Sequence, residues 1–333
     1  MRSPLPTAPV VVLCALLVLL AGCGGGDEKS SSGLPPVPDP PGGAVKDTRL
    51  TALGDKGPLI GLADNRPETM TDPAFVKTGI KRVRVAVPYD DVARGGQHRA
   101  VQDLWFKTAR KAGVEPVVSF YRSSKSISLL PSAAEFRRDF RAFHKRYPWV
   151  KIFSTWNEAN FRPQPTSKDP IRTAAYYRVL RRECDDGKCV VLACDFRPDG
   201  TTKSAQWLAR FENAIGPGPH RWGLAPYVDV NRRSTQLTRV FLRHTSGPVW
   251  VNEVGAINFF GRGVKPNVTR QGRDMHFLLT RYARVSPRLE RIYVYNWRAA
   301  PGDTLFDSGL RDEANKPRPA YKVFANAIDT GGS

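Results

Sequence analysis

Two carboxylates stand out for what surrounds them. Glu158 lies in "FSTWNEANF" (153–161), directly after an apolar run that ends in an indole, and Glu253 closes another such run, "PVWVNE" (248–253). A carboxyl beside a bulky apolar ring holds its proton more readily, whereas one next to a cation stays ionised. Two carboxyls in such contrasting settings can supply an acid and a nucleophile at one pH. Glu158 and Glu253 are 95 positions apart, the span of three strand–helix units of roughly 30 residues each. An isolated Asn-Glu pair can also cap a helix or hold an ion pair, so the surrounding elements must decide.

Those elements alternate regularly. Short apolar or β-branched runs occur at 58–63, 82–87, 115–120, 150–156, 189–194, 221–230, 248–253 and 291–297, which makes eight expected strands. Helical patterns lie between them. The clearest runs from Ser132 to Tyr147: Ser132 and Glu135 form a capping box, and Phe136, Phe140, Phe143 and Tyr147 recur at helical steps. Its other face carries Arg137, Arg138, Arg141, Lys145 and Arg146, a solvated surface. Asp72-Pro73 reads as the cap and first residue of another helix. Eight strand–helix units in residues 58–330 match the length of an α/β fold of one kind, a single (β/α)8 TIM barrel. In that architecture reactive groups sit at the carboxyl ends of the strands, where Glu158 and Glu253 are expected.

"WNEAN" after strand four, "VWVNEVG" on strand seven and "YVYNW" on strand eight resemble the clan of retaining (β/α)8-barrel glycoside hydrolases that includes cellulases, mannanases, xylosidases and glucosidases. The segment "FDSGLRDEANKPRPAY" (306–321) is similar to the stretch that follows strand eight in several of its families. The resemblance implies that Glu158 is the general acid/base and Glu253 the nucleophile, with carboxyl groups about 5–5.5 Å apart. It implies that Asn157 hydrogen-bonds the sugar 2-hydroxyl, that Trp297 forms an aromatic platform under the sugar, and that Tyr227 holds the nucleophile. Arg84, inward on strand two, would keep that nucleophile ionised. Trp156 and Tyr295 are expected to pack the barrel rather than touch substrate.

The chain also departs from the clan. Tyr121 and Arg122 stand where several families place a histidine after strand three, and Ala225-Pro226-Tyr227 replaces a His-x-Tyr on strand six. A glycan-binding protein on a catalytically decayed barrel is therefore the alternative to a hydrolase. Six arginines expected near the mouth (Arg66, Arg122, Arg162, Arg197, Arg232, Arg298) either hold a carboxylated or sulfated glycan or are ordinary surface charge of a basic chain.

The amino terminus sets the expected compartment. Arg2 precedes a twelve-residue apolar run, 10–21, too short to span a bilayer, and "LAGC" (20–23) looks like a bacterial lipobox. This gives residues 1–22 as a lipoprotein signal peptide, Cys23 as the lipidated residue, 23–57 as a Gly/Ser/Pro-rich tether and 58–330 as the barrel. An ordinary secretory signal with a chance cysteine is the alternative. The expected location is the outer face of a bacterial cell membrane. In that oxidising compartment Cys184 and Cys189, flanking "DDGK", are expected to form a disulfide, with a zinc site as the less well-spaced alternative. Cys194 is expected to remain a buried thiol.

The formal charge is +20, so anionic partners are favoured. The expected partners are an oligo- or polysaccharide, neutral or acidic, and the membrane through the anchor, with a monomer as the oligomeric state. Nucleic acid is discounted, because export and lipidation would have no explanation. The histidines (His98, His144, His220, His244, His276) show no metal-ligand spacing and there is no Gly-rich phosphate loop, so neither metal nor cofactor is expected.

Overall fold

The computed structural model describes residue 34 and residues 47–184, 187–261, 263–302 and 305–328. The expected signal peptide and Cys23 lie outside the described residues. Nine parallel strands form one barrel sheet: β1 (Leu59–Ala63), β2 (Arg82–Pro88), β3 (Glu115–Tyr121), β4 (Ile152–Ser154), β5 (Val190–Leu192), β6 (Asp195–Phe196), β7 (Trp222–Leu224), β8 (Val249–Val254) and β10 (Leu289–Tyr295). A separate antiparallel pair joins β9 (Phe259–Phe260) to β11 (Phe306–Asp307). The shell consists of α1 (Pro73–Val76), α2 (Asp91–Arg94), α3 (Gly96–Lys111), α4 (Ala133–Arg146), α5 (Pro170–Glu183), α6 (Thr202–Ile215), α7 (Tyr227–Asn231), α8 (Gln236–His244), α9 (Val268–Thr280) and α10 (Pro319–Ala327). The fold is a single (β/α)8 TIM barrel, as the alternation of runs predicts.

The count of nine arises because the fifth barrel strand is broken. The run expected at 189–194 pairs with β4 only over Val190–Leu192, bends at Ala193-Cys194, and resumes as β6 against β7. Backbone hydrogen bonds bridge the bend: Thr155 N to Leu192 O at 3.3 Å, Ala193 N to Arg221 O at 2.7 Å and Asp195 N to Trp156 O at 2.9 Å. The run expected at 221–230 is corrected as well. It is a strand only to Leu224, since Pro226 lacks the N–H a ladder needs and instead starts α7.

Strand alternation sorts the side chains into a barrel interior and a helix-facing layer. Ala63, Val117, Ile152, Val190, Leu192, Trp250 and Tyr293 pack inside. Val83, Val85, Val118, Phe120, Phe153, Val251 and Ile292 belong to the outer core under the helices. The floor of the interior is ionic, with Glu115 accepting from Arg291 and lying 3.6 Å from Arg82. Gly61 has no side chain because a Cβ there would stand 2.5 Å from the Tyr293 ring.

Helix α4 shows how local sequence places this shell. Ser132 accepts from Glu135 N at 3.2 Å and Glu135 accepts from Ser132 N at 2.7 Å, which closes the capping box. Phe136, Phe140 and Phe143 are buried against Phe120 and Phe153, each contributing about 1.5–3 kcal/mol by the usual scale of apolar burial. The tether boundary expected at residue 57 is too late. Thr48 and Leu50 are buried, and Thr51 N donates to Ala327 O at 2.9 Å, so residues 47–57 belong to the folded body. Cys184 and Cys189 are bridged with a Cα–Cα distance of 5.4 Å, and Cys194 is a buried free thiol. No helix among the described residues is long and apolar enough to cross a membrane.

Candidate active site

At the carboxyl ends of the strands a cavity of ≈ 250 Å³ is lined by Glu158, Phe161, Arg197, Tyr227, Glu253, Ile257, Phe260, Tyr295 and Phe306. Larger hollows of ≈ 540 Å³ and ≈ 860 Å³ lie on the helical flank, away from both carboxylates.

Glu253 enters this cavity through an irregularity. Trp250 and Asn252 on β8 face the interior, so strict alternation would turn Glu253 toward the helices. Between the pairs Ile292↔Val251 and Val294↔Val254, β8 carries two residues, Asn252 and Glu253, against one on β10. This bulge points both inward and returns Val254 to the outer core. Once inside, Glu253 is held at both oxygens. Tyr227 Oη donates to Oε1 at 3.0 Å, and the Arg84 guanidinium donates to Oε2. Burial and the Glu253 charge push the Tyr227 phenol well up, so it remains a donor.

Arg84 is 1% exposed and fully engaged. Beyond Glu253 it donates to Asn157 Oδ1, to Ser119 Oγ at 3.1 Å and to Asp195 Oδ2 at 3.0 Å. Asp195 gathers this layer: it also accepts from Ser119 at 2.7 Å, Ser154 at 2.6 Å and Asn252 at 2.7 Å. A Cβ at Gly223 would meet Asp195 Oδ1 at 2.0 Å, so β7 can run beside this carboxylate only with glycine there. Asp195 is not among the residues expected from the sequence, and a carboxylate just past the apolar "VVLAC" is the signal that marks it.

Glu158 has a different setting. It follows β4 with φ of 43°, a left-handed conformation that costs a non-glycine residue on the order of 1–3 kcal/mol. Neighbouring backbone hydrogen bonds impose it: Asn157 N to Phe120 O at 2.7 Å and Ala159 N to Asp195 O at 2.9 Å. Burial, and after it the Glu253 charge, raise the Glu158 carboxyl to about 7, with Arg197, 3.4 Å away, pulling the other way. One carboxylate is thus clamped by donors, while the other is poised to carry a proton near neutrality.

Placement of the other expected residues is mixed. Tyr227, Arg84 and Asn157 surround Glu253, Asn157 through Arg84. Trp297 does not reach the cavity. It is 1% exposed, packed edge-on against Phe75 and Tyr321, with its backbone N–H donating to Asp64 Oδ2 at 3.0 Å. The aromatic wall consists of Tyr295, expected to be structural, with Phe260 and Phe306 from the β9–β11 pair. Trp156 is fully buried between Tyr89, Phe136 and Tyr176. Of the six arginines expected at the mouth, Arg197 lines the cavity. Arg66 pairs with Asp64, and Arg232 lines the ≈ 860 Å³ flank hollow. Among the described residues no His, Cys, Asp and Glu cluster could hold a metal ion.

No family model matches the sequence, and no curated protein sequence matches it. Solved structures do. A psychrophilic glycoside hydrolase family 10 endo-β-1,4-xylanase superposes with a TM-score of 0.60 at 15% identity, over 83% of this chain and 99% of that one. The endo-1,4-β-xylanase XylE of Penicillium canescens gives 0.57 at 12% identity, over 84% and 97%. A GH128 (subgroup II) endo-β-1,3-glucanase from Sorangium cellulosum gives 0.53 at 16% identity, over 80% and 98%. At these identities the likeness establishes the fold: this chain has the (β/α)8 barrel on which those glycoside hydrolases are built.

Proposed function

We propose that this chain is a retaining glycoside hydrolase that cleaves β-glycosidic bonds of a cell-envelope or extracellular polysaccharide by double displacement. One observation carries the reading: two carboxylates share a cavity at the carboxyl ends of the strands in opposite environments, Glu253 clamped by Arg84 and Tyr227, Glu158 raised to about 7. In the first step Glu253 attacks the anomeric carbon while Glu158 gives its proton to the departing glycosidic oxygen. In the second, Glu158 takes a proton from water, whose oxygen attacks the anomeric carbon and releases Glu253. Asn157 presents its amide to the sugar 2-hydroxyl, its Oδ1 being occupied by Arg84. Tyr295, Phe260 and Phe306 offer ring faces to the apolar C–H face of a pyranose.

The same proposal places the protein outside the cell, tethered through a lipidated Cys23 after removal of residues 1–22, with a saccharide as its partner. Turnover of a panel of aryl β-glycosides, with the product anomer followed by NMR from the first minutes, tests the enzymatic part. A β product first supports retention, and an α product first excludes it. Saccharide binding with no turnover on any member would reduce the protein to a glycan-binding barrel. Membrane partition of the wild type and its loss in Cys23→Ala test the anchor.

A further inference from the structure

The two walls of the cavity differ in chemistry. Tyr295, Phe306 and Phe260 form an aromatic side, built from β10 and the β9–β11 pair. On the segments that follow β3, β4 and β6 the chain carries an arginine each: Arg122, Arg162 and Arg197. Arg122 donates to the Pro163 carbonyl at 3.5 Å, Arg162 is exposed, and Arg197 lines the cavity itself.

Arg197 is held in place, and the carboxyl close to it is that of Glu158. Its backbone is fixed by Asn160, which accepts from Arg197 N at 2.8 Å and donates to Arg197 O at 2.7 Å. Its guanidinium carbon lies 3.9 Å from the centre of the Phe161 ring, a cation–π contact. Yet the guanidinium makes no hydrogen bond to the described residues: Nε is buried without a hydrogen-bond partner, in an ion pair 3.4 Å from a Glu158 oxygen. Only Nε is shut away from water; the side chain keeps 19% exposure, which leaves its terminal N–H donors open for an anion to complete. Glu158 offsets this charge when it is ionised and leaves it uncompensated when it carries the proton it donates. Arg84, the buried arginine of the site, is already saturated by Glu253, Asp195, Asn157 and Ser119. Asp195 and Asp199, each two positions away along the chain, are engaged by Arg84 and by Thr201 respectively.

We propose that Arg197 makes this cavity selective for a glycan that bears a carboxylate on a sugar beside the cleaved bond, that is, a uronic acid. The inference rests on the reading of the cavity as a glycan cleft. A planar guanidinium presents paired N–H donors that match a carboxylate, and Arg122 and Arg162 extend positive potential along the strand ends for further anionic residues of a polymer.

The test is a binding measurement that does not require hydrolysis. The Glu253→Gln protein is titrated calorimetrically with β-linked oligosaccharides containing glucuronic acid, each paired with its carboxyl-reduced counterpart of identical linkage and with a sulfated counterpart. The expected result is that at least one acid form binds about tenfold or more tightly than its reduced partner, with a preference that weakens in high salt. That preference should vanish in Arg197→Ala and survive in part in Arg197→Lys, which also controls for folding. Equal or absent binding of acid and reduced forms across the panel, an Arg197→Ala preference equal to the parent's, or tighter binding of the sulfated form would overturn the proposal. Selective acid binding without turnover in the wild type would leave this inference standing and remove the hydrolase reading alone.

Discussion

The phenol of Tyr227 and the carboxylate of Glu253 come from consecutive units of the barrel and meet at 3.0 Å, with Tyr227 donating to Oε1. A hydrogen bond to a charged acceptor contributes about 1.5–3 kcal/mol. In the proposed mechanism it aligns the nucleophile in both steps. Tyr227→Phe should lower kcat by roughly 10- to 100-fold with KM little changed. Steady-state kinetics on an aryl glycoside would show this, and an unchanged kcat would mean that Arg84 alone orients Glu253.

The raised Glu158 carboxyl predicts pH behaviour of definite sign. As the proposed acid it must be protonated, so kcat/KM should fall as pH rises through about 7. The same shift affects folding. Between the ordinary glutamate value and about 7 the folded state binds the proton and the unfolded state does not, so this group's contribution to stability is full at low pH and is lost as pH rises. Glu158→Gln removes that loss. The variant should melt higher than wild type at pH 8, by on the order of 1–3 kcal/mol, and the difference should shrink below pH 5. A difference independent of pH would contradict the assignment.

Asp195 anchors the layer beneath the carboxylates. Asp195→Ala leaves Arg84 with an uncompensated part of its buried charge and takes the acceptor from Ser119, Ser154 and Asn252. A loss of roughly 3–5 kcal/mol in urea unfolding is expected, with Asp195→Asn costing less. A loss below about 1 kcal/mol would show that the network contributes little to folding.

The aromatic assignments separate cleanly. Tyr295→Ala and Phe306→Ala should raise KM several-fold while the fold persists, because both side chains line the cavity. Trp297→Ala should cost about 3–5 kcal/mol of stability by opening a core void beside Phe75 and Tyr321. Weakened substrate binding by Trp297→Phe at unchanged stability would return the indole to the site.

Most of the barrel was legible because parallel strands buried on both faces read as apolar runs, and α4 because its cap and phenylalanine spacing are local signals. The positions of Glu158 and Glu253 followed from strand ends. What could not be read was how Glu253 turns inward, since the bulge on β8 depends on pairing with β10. Trp297 was misplaced because the strand ends at Tyr295, after which alternation no longer governs where a side chain points. Phe260 and Phe306 face each other only through pairing between β9 and β11, distant in the chain and without a periodic pattern. Asp195 lay beyond a break that turns one strand into two.

The central claim is that Glu253 forms a covalent bond to the sugar. Incubation of the wild-type protein with a 2-deoxy-2-fluoro β-glycosyl fluoride of a sugar it hydrolyses, followed by proteolysis and mass spectrometry, tests it directly. The account predicts a stable adduct of one sugar on the peptide containing Glu253, with activity lost in step with labelling. A label on Glu158, or full turnover of the parent glycoside with no adduct on any peptide, would contradict it.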